Sequence, residues 1–83
     1  MANKTLVRVL AGTSDASIRF DDLRGLLLGL NFSERVRGSH HIFSRADVQE
    51  ILNIQPRGSA AKPYQVKQVR NVIVRYRLAG ETE

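Results

Sequence analysis

The chain has 83 residues, no cysteine, and 13 Lys and Arg against 8 Asp and Glu, for a net charge of +5. A chain this short holds one domain around one core and buries about 60–65% of the surface its unfolded form exposes, so any active site must be shallow. The missing cysteine excludes a disulfide framework, an iron–sulfur cluster and a thiolate-held zinc ion.

No apolar run approaches the ~20 residues needed to cross a bilayer, and Met1-Ala2-Asn3-Lys4 leads into no signal-peptide stretch. The chain therefore reads as soluble and cytoplasmic. Its charge is lopsided. Residues 1–50 carry seven basic and six acidic side chains, whereas 51–80 carry Arg57, Lys62, Lys67, Arg70, Arg75 and Arg77 with no acid. A one-signed region of this kind suits phosphate or an acidic partner.

Along the chain, Leu6, Val9 and Leu10 keep helical spacing over residues 3–11, with Gly12 placed for a left-handed cap. After a polar loop, Asp21 reads as the N-cap of a helix whose Leu23, Leu26, Leu27 and Leu30 form an i, i+3, i+4, i+7 stripe. From Phe32 the period changes to two. Phe32, Glu34 and Val36 alternate with Ser33, Arg35 and Arg37 as in a half-buried strand. Gly38-Ser39 fits a two-residue II′ turn, and His40–Arg45 is the returning strand. Residues 45–49 read as a connection and Ile51–Ile54 as a third strand. Pro56 and Gly58 fit positions i+1 and i+3 of a type I turn that ends it.

In the last segment Val72, Val74, Tyr76 and Leu78 alternate as a strand would. Val66, Val69, Ile73 and Tyr76 instead keep helical spacing, with Pro63 at N1 and Gly80 at C′. The helical template covers more residues and is preferred. The expected fold is α+β, with helices on one face of a three-stranded antiparallel sheet.

Gly38-Ser39-His40-His41-Ile42-Phe43 holds both histidines. Side chains alternate across a strand, so His40 shares a face with Ile42 and His41 shares the other with Phe43. The two rings cannot flank one phosphate as an acid–base pair or readily ligate one metal ion. Phe43 belongs in the core, which makes His41 the half-buried histidine and leaves His40 in solvent. Other constellations are weaker. Asp21-Asp22 sits where a helix dipole favours acids, Asp47 and Glu50 lack a third ligand, and Ser39 has no visible relay.

Together Phe20-Asp21-Asp22-Leu23, Leu26-Leu27, Leu30-Asn31-Phe32, Gly38-Ser39-His40-His41-Ile42-Phe43 and Gln65-Val66-Lys67-Gln68-Val69-Arg70 resemble the HicA family of mRNA-interferase toxins, the YcfA-like group. The likeness covers about residues 18–78, with 1–17 as an N-terminal helical extension of a single domain, 1–83. It implies a double-stranded-RNA-binding-domain-like α-β-β-β-α fold. It also implies metal-independent, cofactor-free cleavage of mRNA, and a HicB-type antitoxin as partner in a type II toxin–antitoxin system. The family's single catalytic histidine falls on His40. Where many members carry Pro-His after the third strand, this chain has Ile54-Gln55-Pro56-Arg57.

On this reading His40 takes the proton of an RNA 2′-hydroxyl or protonates the departing 5′-oxygen. Arg45, Lys62, Lys67 and Arg70 are the candidate cations for phosphate, with Gly38 and Ser39 helping at the turn and Arg37 a further candidate. Two other readings stand beside it. One is a non-catalytic module binding double-stranded RNA through A-form geometry. The other is a basic domain that docks an acidic protein.

Overall fold

The computed structural model describes residues 3–82. Helix α1 (Lys4–Ala11) starts at Asn3, whose Oδ1 accepts from the Leu6 N–H at 3.1 Å, and stops at Gly12, where φ is +72°. Its Leu6 and Val9 enter the core. A 3-10 turn at Asp15–Ser17 leads to helix α2 (Phe20–Gly29). The expected cap at Asp21 is corrected: Arg19 is the cap residue, and Asp21 and Asp22 lie inside the first turn. Tertiary pairing sets this entry, because Arg19 bridges Ala60 and the Phe20 N–H donates to the Ser59 carbonyl at 3.0 Å. Helix α2 closes on Asn31 at φ +68°, with Phe32 N–H reaching back to the Leu27 carbonyl.

Strands β1 (Ser33–Arg37), β2 (His40–Arg45) and β3 (Val48–Ile54) form an antiparallel meander in the order β1-β2-β3. Gly38 takes φ +60° while Ser39 keeps negative φ, as a II′ turn requires. The third strand begins at Val48, three residues earlier than expected. Ala46 and Asp47 suffice for the turn because Arg45 Nε holds Asp47 Oδ1 at 2.8 Å. The predicted type I turn is also corrected. Pro56–Arg57 (β4) pairs with Ala60–Ala61 (β5), and Gly58, at φ +62°, makes the bend with Ser59. A two-stranded ribbon tolerates a proline without an N–H to donate.

Helix α3 (Pro63–Arg75) carries Val66, Val69, Val72 and Ile73 into the core. It ends before Gly80: Arg77 turns left-handed at φ +56°, which sends Leu78 back into the interior. A final 3-10 turn covers Leu78–Thr82. The architecture is thus α+β, with three helices and a three-stranded antiparallel sheet. No helix among the described residues is long and apolar enough to cross a membrane.

The register fixes which sheet face is covered. Glu34, His41, Phe43, Leu52 and Ile54 share the helix side, where Phe43 and Ile54 are fully buried. Arg35, Arg37, His40, Ile42 and Asn53 share the other side, which no helix covers.

One polar network ties the histidine hairpin to α2. Arg24 donates to both Glu34 oxygens at 2.7 and 2.8 Å, and His41 Nδ1 lies 2.8 Å from Glu34 Oε2. The His41 ring also meets Phe20 edge-on at 4.7 Å. The Arg24 hydrogen bonds, helped by His41, outweigh burial and lower the Glu34 pKa from 4.5 to about 2. A carboxylate with a depressed folded pKa contributes stability above its unfolded value and loses it as pH falls. Wild-type stability should therefore fall between about pH 4.5 and pH 2. Glu34→Gln should cost roughly 1–3 kcal/mol at neutral pH and flatten that acid slope. Urea unfolding of both proteins across pH 2–7 measures the difference; parallel slopes would dismiss the network as a stabilising element.

Candidate active site

The II′ turn projects His40 from the hairpin tip, exposed on the uncovered sheet face, with Arg37 directly opposite it on β1. Side chains paired in this way lie about 5 Å apart at Cβ. Beside the imidazole is an open cleft of about 290 Å³ between β3 and the start of α3, lined by His40, Ile51, Asn53, Gln55, Tyr64, Gln65 and Gln68. Apart from Ile51 the lining is polar or aromatic.

Two neighbours determine the state of the ring. Lys62 Nζ donates to Gln55 Oε1 at 2.6 Å, which turns the Gln55 amide nitrogen toward His40, 2.8 Å from Nε2 and 3.0 Å from Nδ1. Asn53 Oδ1, which can only accept, lies 3.2 Å from Nδ1. The arrangement is satisfied when Nδ1 carries the hydrogen, donated to Asn53, and Nε2 accepts from Gln55. This tautomer assignment follows from the bonding partners. The lone pair that a base needs then sits at Nε2, at the cleft, where the Gln55 amide covers it.

Gln55 is itself anchored, since its backbone N–H donates to Gln65 Oε1 at 2.8 Å. Gln65 is the one buried polar residue of the described chain, and its amide nitrogen donates to the Tyr64 hydroxyl at 3.3 Å. Hydrogen bonds therefore run unbroken from Tyr64 through Gln65 and Gln55 to His40.

The residues singled out by sequence separate into two groups. Gly38, Ser39 and Arg37 accompany His40 at the tip, and Lys62 reaches it through Gln55. Arg45, at the far end of β2, is five residues or about 16 Å along the strand. Its guanidinium holds Asp47 and donates to the Leu30 carbonyl at 2.8 Å. Arg70 faces the opposite side of α3, where it binds Asp15 at 2.9 Å and the Val9 carbonyl at 3.1 Å. Lys67 is exposed on α3 and does not line the cleft. The expected grouping around His40 is thus corrected for Arg45 and Arg70. Arg45 and Arg70 are held in ion pairs with Asp47 and Asp15, and Lys67 is exposed without lining the cleft.

Sequence reasoning missed Asn53, Gln55, Tyr64, Gln65 and Gln68. For Asn53 a signal existed: alternation along the third strand sends the apolar Leu52 and Ile54 to the core side and Asn53 to the other, the His40 face. The glutamines gave none, since an uncharged amide looks the same as a capper, a core linker or a surface residue. No group of three His, Asp or Glu side chains that could hold a metal ion occurs among the described residues. Comparison with protein-family models, with curated proteins and with solved structures finds no match to this chain.

Proposed function

We propose that this protein is a metal-independent endoribonuclease of the HicA kind, an mRNA interferase with one catalytic histidine, held in check by a HicB-type antitoxin. The observation that carries the reading is His40 itself: an exposed imidazole, oriented by Asn53, whose Nε2 lone pair opens on a polar cleft beside Lys62 and Arg37. The sequence of helix, three antiparallel strands and helix also agrees with a double-stranded-RNA-binding-domain-like arrangement.

In the reaction a substrate 2′-hydroxyl displaces the Gln55 amide and gives its proton to Nε2. The 2′-oxygen attacks the adjacent phosphorus, and the bond to the 5′-oxygen breaks. The imidazolium returns its proton to that oxygen, leaving a 2′,3′-cyclic phosphate and a 5′-hydroxyl. Lys62 and Arg37 offset the charge that builds on the phosphoryl oxygens. No step needs an ion beyond these side chains.

The test is incubation of the wild type and His40→Ala with a long mRNA, with and without EDTA, followed by end-group analysis of the fragments. Cleavage that survives chelation, leaves cyclic phosphate ends and disappears in the variant supports the reading. RNA binding without cutting by either protein would make it a non-catalytic RNA-binding module instead. Growth arrest on expression of the wild type alone, relieved by a HicB-type partner, tests the toxin role.

A further inference from the structure

The cleft beside His40 has a property that acid–base chemistry does not explain. Its wall includes Tyr64, 58% exposed at the first turn of α3, whose hydroxyl is tethered by the buried Gln65. An aromatic ring displayed to solvent yet fixed at its far end is unusual for a merely solvated helix face. Next to it, the Gln68 side chain lines the same cleft with no hydrogen-bonding partner among the described residues, and the Asn53 amide nitrogen is likewise unpaired. A volume of about 290 Å³, one ring to stack on and two unused amide groups match a planar heterocycle with donors and acceptors along its edge.

We propose that this cleft is a nucleobase pocket: it receives one unstacked base of single-stranded RNA next to the linkage presented to His40, with Tyr64 stacking on its face and Gln68 and Asn53 bonding its edge. The inference rests on the endoribonuclease reading for the identity of the polymer. Protein recognition of single-stranded RNA relies on splayed bases stacked on aromatic side chains and bonded along their edges. A base locked in an A-form duplex cannot enter the cleft, so the pocket makes the protein selective for unpaired segments. Two chemistries meet here: Lys62 and Arg37 lie by the phosphates, and Tyr64 lies beneath the base.

The test uses a fluorescent hexanucleotide with 2′-fluoro substitution, which lacks the attacking hydroxyl, so that binding is read by anisotropy apart from cleavage. Wild type should bind the single strand at least ~10-fold tighter than a blunt duplex of the same sequence. Tyr64→Ala should weaken single-strand binding by about 10-fold or more, the loss expected for one stacked base, and Tyr64→Phe should restore it. Gln68→Ala should change the order of affinity among oligo(A), oligo(C) and oligo(U). Val7→Ala, exposed on α1 and outside the cleft, should bind like wild type, and because the 2′-fluoro probe cannot be cut, a failure of the chemistry leaves this result standing. Equal affinity for duplex and single strand, or a Tyr64→Ala variant that is folded by circular dichroism and binds normally, would overturn the proposal.

Discussion

His40→Ala should reduce mRNA cleavage by about 10²–10⁴-fold, the range that a positioned acid–base group supplies, while leaving the melting curve unchanged. The second half of the expectation follows from the fold. His40 is exposed at a turn, its bonds are to Asn53 and Gln55 on the surface, and such substitutions shift stability by only about 0.5 kcal/mol. The residual rate reports what Lys62 and Arg37 contribute by electrostatics alone. His41→Ala should behave in the opposite manner: it removes a ring packed on Phe20 and bonded to Glu34, so it should lower the melting temperature. If His41→Ala remained folded and inactive while His40→Ala still cut RNA, the assignment of the two faces would be reversed.

Phe43→Ala should carry the largest stability loss of any single change at the sheet. The ring is fully buried at the centre of β2, between Glu34 and Leu52 in register. Removing a buried phenylalanine costs about 3–5 kcal/mol, against a total of about 4–12 kcal/mol for a chain of this size. Since 1 kcal/mol shifts the midpoint of so small a domain by about 4–8 °C, the melting temperature should fall by roughly 15 °C or more. Phe43→Leu, which keeps most of the volume, should lose only a fraction of that. Thermal melts by circular dichroism decide it. A drop below about 5 °C for Phe43→Ala would mean that the centre of the core lies elsewhere.

Where one strong pattern acted alone, the chain was readable. The leucine stripe of α2 and the Gly-Ser turn before His40 need only a helical period and a residue free to take positive φ. The division of His40 and His41 between faces follows from strand geometry and needs no tertiary information. Boundaries were lost where distant residues intervene. Asp21 looks like a cap, yet Ser59 and Ala60 dictate the entry of α2. Pro56 looks like a turn, yet Ala61 draws it into a ribbon. The charged residues were the least legible, because a lysine or arginine is equally suited to phosphate, to an internal carboxylate or to water. Only packing reveals that Arg70 belongs to Asp15, and that Lys62 addresses His40 through an intervening amide.

The grip of Arg70 on Val9 and Asp15 spans 61 and 55 residues of sequence. Lys62, Tyr64 and Gln65, which order the cleft beside His40, likewise lie 22 to 25 residues further along the chain than that histidine. Residues 62–78 must emerge before the opening helix, the sheet and the cleft acquire their shared interior, and long-range closure of this sort is slow relative to local folding. A chain lacking residues 62–78 would therefore have neither that shared interior nor the Tyr64, Gln65 and Gln68 wall of the cleft.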